Sequence, residues 1–173
     1  MNEVLNCLET RRSVRKYLPK QIADAELNAI LEAGIYAPTA MGRQSPKIVV
    51  LQKPEDVAEL ERMNAAVLGN PDSHPFYGVP TVLVVLADAK AGTAVEDGSL
   101  VLGNLMNAAH ALGVGSCWIH RAREEFASDE GKALLKRWGI EGDWVGVGHC
   151  ILGYAAEPAA PAKPRKADYI VRV

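Results

Sequence analysis

The chain has 173 residues, 49% of them hydrophobic, and its 19 basic and 21 acidic side chains give a formal net charge of -2. This length suffices for one substantial core but is short for two, so we predict a single domain over residues 1–173. The slightly acidic balance excludes a global field that would attract nucleic acid or an anionic membrane. Any anion site must therefore be local.

Membrane, secretory and metal-binding signals are missing from the sequence. No apolar segment reaches the roughly 20 residues of a membrane-spanning helix, and the opening MNEVLNCLETRR lacks the hydrophobic centre of a signal peptide. Three separated cysteines without C-x-x-C spacing and four histidines without ligand spacing predict neither a disulfide framework nor a metal site. We expect a cytoplasmic protein with no membrane or nucleic-acid partner.

The first half of the chain alternates helical and strand patterns. A helix is predicted from a cap at Asp24 to a stop before Pro38. The loop APTAMGRQSP leads into the β-branched strand KIVVLQ, and a second helix should run from Pro54 to a stop at Gly69. These elements indicate a layered fold of helices and strands.

The second half continues the same pattern. TVLVVLA is apolar on both faces, which predicts a central strand, and a long apolar helix should run from about Ala94 to Leu112 and end at Gly113. Two further strands, in VGSCWI and DWVGVGHCILGYA, should flank a charged helix capped by Ser128. The pattern fits a single α+β or α/β domain, and its proline-rich end, about residues 155–173, predicts an extension that reaches across another surface.

A basic cluster near the N-terminus is the first candidate site. On a helix or helix-to-loop junction, Arg11 and Arg15 fall on one face, and Ser13 adds a hydroxyl; such a group suits a phosphate. The alternative is a solvated basic helix end. A second basic group at Lys163 and Arg165 would be a solvated tail unless it meets the first cluster in space.

Other catalytic signatures are missing. There is no glycine-rich phosphate loop, GVGSCW precedes a strand where a dinucleotide-binding fingerprint would precede a helix, and no nucleophile has an assignable base. If the protein is an enzyme, we expect a cofactor to bring the reactive group.

Five segments together resemble the FMN-dependent nitroreductase family. They are ETRRSVRKY, EAGIYAPTAMGRQSPKIVV, PFYGVPTVLVV, AAHALGVGSCWIH and ILGYAAEPAAPAKPRKADYIV, and they occur in the family's order over nearly the whole chain. The resemblance implies an α+β, three-layer fold, in which a mixed β-sheet is flanked by helices, and a homodimer with FMN at the subunit interface. The C-terminal extension would reach over the cofactor or the partner subunit.

The resemblance also implies roles for individual residues. Arg11 and Ser13 would hold the FMN phosphate, Arg15 would reach the ribityl chain or pyrimidine edge, and the partner subunit would contribute its own loop. Asn64 is a looser match to an amide contact at the pyrimidine edge. The full implied cofactor-binding set is Arg11, Arg12, Ser13, Arg15, Pro38, Thr39, Ala40, Gln44, Asn64, Trp118, Ile119, His120, Lys163 and Arg165.

The activity implied by the resemblance is ping-pong hydride transfer from NADH or NADPH through FMN to a nitroaromatic, quinone or related small-molecule acceptor. Arg15 would stabilise negative charge on the reduced flavin, and no side chain is identified as a catalytic acid or base. The loop Gly42–Pro46 departs from the family pattern S-x-N-x-Q-P-W, although Gln44 is retained, and this leaves the acceptor open. Two alternatives also stay open: a specialised flavin dehydrogenase or dehalogenase, and a flavin-binding protein without turnover.

Overall fold

Residues 2–173 are described by a computed structural model, in which they form six α-helices and four β-strands. The helices are α1 (Glu3–Thr10), α2 (Asp24–Ile35), α3 (Pro54–Leu68), α4 (Ala94–Ala111), α5 (Ala122–Ala127) and α6 (Asp129–Arg137). The strands are β1 (Pro46–Leu51), β2 (Thr81–Asp88), β3 (Gly115–Ile119) and β4 (Trp144–Gly153).

A four-stranded sheet in the order β1-β2-β4-β3 forms the middle layer. Seven of the eight residues of β2 are buried, which confirms the central strand predicted from its apolar faces. The expected mixed sheet is corrected in one respect: within this chain each strand runs antiparallel to its neighbours. The parallel pairing outside the named strands is a single bridge between Ser13 and Ser116, which is too short to form a strand.

Each face of the sheet buries its own hydrophobic cluster. On one face α2 and α4 pack against the sheet through buried side chains such as Ile30, Leu102 and Leu105. On the other, a cluster that includes Leu60, Phe76 and the α5 residue Phe126 covers the sheet. Alternation of side chains along β2 supplies residues to both clusters, so the three-layer α+β arrangement is confirmed.

The helix ends follow the local signals with small shifts. α2 begins at Asp24, but its cap is Ala23, whose backbone N–H donates to the Glu26 carboxylate at 2.9 Å. Gly69 ends α3 in the left-handed conformation with φ of 76°, as predicted. Ser128 caps α6 and accepts a bond from the backbone N–H of Gly131 at 3.0 Å.

The short helix α5 was not predicted, and it lies against β4. A Cβ atom at Gly146 would lie 2.1 Å from the carbonyl oxygen of Ala122. Only glycine therefore permits this approach of helix and strand backbones. The contact fixes the turn from β3 into α5, where several of the candidate residues lie.

The N-terminal basic segment begins at a helix-to-loop junction, which is one of the two predicted placements: Arg11 is the C-cap of α1, and Arg15 lies beyond the helix. α1 ends at Thr10, and the chain then continues in extended form, with backbone bridges from Ser13 to Ser116 and from Tyr17 to Ala155. The backbone N–H of Val14 donates to the carbonyl of Ser116 at 2.9 Å, so pairing with the end of the sheet replaces helical hydrogen bonds. In an extended segment alternate residues face one side, which still groups positions 11, 13 and 15.

The C-terminal extension leaves the domain soon after β4. It is tied down by the bridge at Ala155 and by an ion pair between Lys16 and Glu157 at 2.9 Å. Beyond that point its residues are exposed, and Tyr169 and Ile170 are 80% and 74% exposed. Its expected reach across a cofactor or partner stays a prediction. None of the helices described here has the length and apolar character needed to cross a membrane.

Candidate functional site

A cavity of about 520 Å³ opens where β3 ends. It brings together four residues of the predicted set, namely Arg15 from the N-terminal segment and the consecutive Trp118, Ile119 and His120. The other wall residues come from the end of α3, the connector between α3 and β2, the strand β3, and Arg121. The full wall consists of Arg15, Leu68, Ser73, His74, Pro75, Tyr77, Cys117, Trp118, Ile119, His120 and Arg121. The described wall has no carboxylate, so it can accept electron-rich or anionic groups.

The junction between β3 and α5 is held by a buried amide. Asn64 is 0% exposed; its Nδ2 donates to the carbonyl of His120 at 2.9 Å, and its Oδ1 accepts from Nε of Arg121 at 3.0 Å. Arg121 caps α5 with φ of 82°, a left-handed conformation that side-chain-bearing residues rarely adopt. Within the described chain the Asn64 amide holds the His120–Arg121 junction, and its expected contact with the cofactor stays a prediction.

Two buried polar atoms near the Ser13–Ser116 bridge have no hydrogen-bond partner within residues 2–173. They are Nη1 of Arg11 and Oγ of Ser116, and Ser116 is only 2% exposed. Buried polar groups are almost always satisfied in native proteins, so orphaned ones call for a ligand or water. Ser13 itself is exposed beside them, as is Arg15.

Arg12 has a different role from its neighbours. Its Nη1 donates to the carbonyl oxygens of Glu9 at 2.8 Å and of Arg11 at 2.7 Å, which satisfies carbonyls at the end of α1. The structure does not place Arg12 at the cavity, and its expected ligand contact has no geometric support within the chain.

The positive field of the N-terminal segment acts on a nearby histidine of α4. Burial, together with the charges of Arg11 and Arg12, lowers the pKa of His110 below its usual value. Its Nε2 lies 2.9 Å from the hydroxyl oxygen of Thr10. A neutral His110 leaves the arginine charges available to an anion.

The loop that contains Pro38, Thr39, Ala40 and Gln44 lies away from the cavity, at the edge of β1. Thr39 and Gln44 line a separate apolar cavity of about 330 Å³. Within one chain, therefore, these four predicted residues do not meet Arg15 or His120. This separation fits the expectation that the loop serves the partner subunit's site, which stays a prediction.

Asp97 anchors this loop, and the sequence analysis missed it. The side chain is 3% exposed and accepts bonds from the backbone N–H of Ala40 at 3.0 Å and from the hydroxyls of Ser45 at 2.8 Å and Thr93 at 3.2 Å. Burial opposes ionisation, but these bonds outweigh it and lower the pKa of Asp97. The available signal was the acidic pair Glu96 and Asp97 in the first turn of an apolar helix.

A buried acid–base pair lies beneath the cavity and was also missed. Glu125 of α5 and His149 of β4 are 1% and 0% exposed, and their Oε2 and Nε2 atoms are hydrogen-bonded. Phe76 lies edge-on to the imidazole at 5.4 Å between ring centroids. His149 pairs in register with Ile119, so the dyad links α5 to the strand that lines the site.

Lys163 and Arg165 lie on the exposed extension and make no hydrogen bond or ion pair with the N-terminal segment in the described chain. Their predicted meeting with Arg11 and Ser13 is not made within one subunit. Among residues 2–173, no three histidine, cysteine, aspartate or glutamate side chains group as a metal site would require.

Comparison with known proteins gives the same picture over most of the chain. The model of the nitroreductase family matches residues 8–77 and 70–154. A protein of Archaeoglobus fulgidus named "Putative NADH dehydrogenase/NAD(P)H nitroreductase" is 31% identical over 159 residues, covering 89% of this chain and 86% of the relative. A protein of the same name from Methanothermobacter thermautotrophicus is 27% identical, over 67% of this chain and 60% of the relative's length.

Among solved structures, a nitroreductase of Bacteroides fragilis with bound FMN superposes with a TM-score of 0.91. It is 34% identical to this chain, and the match covers 100% of both chains. The helical layers, the sheet and the junction at the cavity therefore belong to an architecture already seen with a flavin.

Proposed function

This chain belongs to the nitroreductase family, and from that premise we propose that it is an FMN-dependent NAD(P)H oxidoreductase that reduces nitroaromatic, quinone or related small-molecule acceptors. The observation that carries the proposal is the cavity at the end of β3, which combines Arg15 with the strand end Trp118–His120. Its volume of about 520 Å³ is within the range of cofactor sites.

The residues of the N-terminal segment, of which Arg15 lines the cavity, fit a flavin phosphate. Arg11 offers a buried Nη1 donor without a partner, and the hydroxyl of Ser116, which bridges to Ser13, is likewise unpartnered. Ser13 and Arg15 present a further hydroxyl and guanidinium from the same exposed segment. Guanidinium groups donate paired hydrogen bonds that match phosphate oxygens, so these residues would hold the 5′-phosphate and the ribityl chain.

The residues at the β3–α5 junction also fit a flavin ring. FMN, when bound, supplies the carrier that accepts a hydride from the nicotinamide and passes it to the acceptor. The backbone of His120 and Arg121, fixed by Asn64, would donate an N–H to the ring edge. Arg15 would supply positive charge near the pyrimidine edge, where negative charge grows on reduction.

A single cavity would serve both substrates in turn. The protein's own part is then to bind and orient each substrate, since no side chain of the wall is assigned as an acid or base. This arrangement predicts ping-pong kinetics, in which the nicotinamide product leaves before the acceptor binds.

A homodimer completes the proposal. Val4, Leu5 and Leu8 of α1 are 66%, 53% and 51% exposed, which is unusual for three apolar residues on one short helix. Val4 and Leu8 line a groove of about 480 Å³ between α1 and α4. A second subunit would cover this surface and bring its Pro38–Gln44 loop and its Lys163 and Arg165 to the flavin.

The test begins with the absorbance spectrum of the purified protein, before and after incubation with FMN and desalting. We expect the bands of bound oxidised flavin, and their loss on anaerobic titration with NADH or NADPH. A protein that retains no FMN would refute the proposal. A flavin that neither nicotinamide reduces would leave a binding protein or a specialised dehydrogenase instead.

A further inference from the structure

Arg121 is a cation whose position is unusually well fixed. Its Nε donates to the buried Asn64 amide, its backbone is held in the left-handed region at φ of 82°, and its side chain lines the cavity. Glycine is the residue that adopts this backbone conformation without steric cost. An arginine here therefore suggests that the side chain, and not the backbone alone, has a use in the site.

The guanidinium of Arg121 has no anionic partner in the described chain. The ion pairs of residues 2–173 do not include Arg121, and its side chain belongs to the cavity wall. Glu61, a carboxylate that contacts the wall residue His74 at 3.4 Å, is already used by the backbone N–H of Phe76 at 2.8 Å.

Arg121 adds a positive charge to those that the proposed flavin site already contains. The N-terminal segment supplies cations for the phosphate, and Arg15 supplies one for the pyrimidine edge. Arg121 lines the same cavity from the start of α5, next to the exposed His120. A cation there is available to a second molecule that enters the cavity.

We propose that Arg121 binds an acidic group of the electron acceptor, so that the enzyme prefers acceptors that carry a carboxylate or sulfonate beside the reducible group. This inference rests on the proposed oxidoreductase function. Arg121 forms a charge-assisted hydrogen bond to the acidic group, and Asn64 is the positioning residue that holds the guanidinium in place.

The test compares two acceptors that differ only in charge, 4-nitrobenzoate and 4-nitrobenzamide, in the flavin-loaded protein. We expect a higher kcat/KM for the benzoate, and Arg121→Gly should lower the benzoate-to-benzamide ratio about tenfold or more, mainly through KM. Glycine suits the left-handed backbone, so this variant should fold. Arg121→Lys should retain an intermediate ratio, and Arg123→Ala, which removes an exposed charge two residues away, is the matched control.

A binding measurement without turnover provides a second readout. Non-reducible benzoate and benzamide are titrated into the oxidised protein, and the change in flavin absorbance reports their dissociation constants. Preferential binding of benzoate that Arg121→Gly abolishes supports the inference. Equal binding of the two compounds by the unaltered protein, or an equal loss of both in the variant, overturns it.

Further results would distinguish this inference from the proposed oxidoreductase function and from recognition of the nicotinamide donor. If both nitro compounds are reduced at similar kcat/KM, the proposed oxidoreductase stands and the acceptor preference fails. If Arg121→Gly instead slows anaerobic flavin reduction by NADPH much more than by NADH, the acidic group belongs to the nicotinamide donor, and the assignment to the acceptor is overturned. Lack of reduction of the flavin by any donor would refute the function itself.

Discussion

The two ends of the candidate site are built by opposite means. At the β3–α5 junction the positions are set by burial: Asn64, Ala122 and His149 are each 0% exposed, and Nδ2 of Asn64 donates to the carbonyl of His120 at the strand end. In the N-terminal segment Ser13 and Arg15 are exposed on a chain that makes a single bridge to β3. Packing therefore organises the β3–α5 junction, which we call the ring end, before a ligand binds. The N-terminal segment, which we call the phosphate end, has exposed charged side chains that become ordered only when an anion binds.

The largest effect should come from breaking the buried pair at the ring end. Glu125→Ala leaves the His149 imidazole buried without its partner, and loss of one member of such a pair costs about 3 kcal/mol or more in the free energy of unfolding. In a chain of this size the melting temperature should then fall by about 6–12 °C, measured by circular dichroism. Glu124→Ala, an exposed neighbour on α5, should change it little; equal losses in both variants would contradict the role of the pair.

The phosphate end should respond in the opposite way. Arg11→Ala removes a donor that has no protein partner, so the apoprotein should keep its stability within about 0.5 kcal/mol. The FMN dissociation constant should rise about 10- to 100-fold, because charge-assisted bonds to phosphate contribute about 1.5–3 kcal/mol. Quenching of FMN fluorescence on binding measures this change.

A matched control for that prediction is Arg62→Ala, which removes an exposed arginine that pairs with Glu130 on a distant surface. It should leave the affinity for FMN unchanged. If both arginine variants weaken binding alike, general charge and not the placement of Arg11 determines the affinity.

Removal of residues 160–173 should also affect FMN binding without affecting the stability of the fold. The deleted segment is exposed along its length, so the melting temperature of the apoprotein should stay nearly constant. If Lys163 and Arg165 reach the partner's flavin, the affinity for FMN should fall several-fold and the dimer should weaken, as measured by sedimentation velocity. An unchanged affinity and dimer would show that the extension has no part in the site.

The smallest expected effect is the pH response of His110. Its pKa is lowered in the folded state, so the unfolded chain binds more protons between the two pKa values. This contribution to stability is present above the pKa of the unfolded state, near 6.5, and is lost as pH falls through the folded pKa. His110→Gln should therefore flatten the dependence of melting temperature on pH between about 7 and 5, and an unaltered profile would count against the shift.

The sequence predicted most of what depends on neighbouring residues. The apolar faces of TVLVVLA, the glycine after α3 and the serine before α6 each specify a local structure, and each prediction is confirmed. For the basic segment the sequence left a helix and a helix-to-loop junction open, because spacing four apart suits a helix as well as an extended chain of period two. Only the long-range bridge from Ser13 to Ser116 decides between them.

Contacts between distant segments could not be read from the sequence. Asn64 and Arg121 are separated by 57 positions, and neither carries a local signal of its partner. The same holds for Asp97 and Ala40, and for Glu125 and His149. A buried polar residue resembles a surface one in sequence until the fold supplies the groups that satisfy it.

The sequence by itself determined a layered domain of helices and strands, the order of most of its elements and the residue types suited to an anion and a strand-end site, because propensity and periodicity are local properties of the chain. The tertiary structure decided which of those residues meet. In the folded chain Arg15 and Arg121 line the cavity at the end of β3. Arg12 instead bonds to carbonyls at the end of α1, and the buried Asn64 bonds to the carbonyl of His120. Burial and hydrogen bonding between distant segments select among these roles, and both exist only after the sheet and its two layers have assembled.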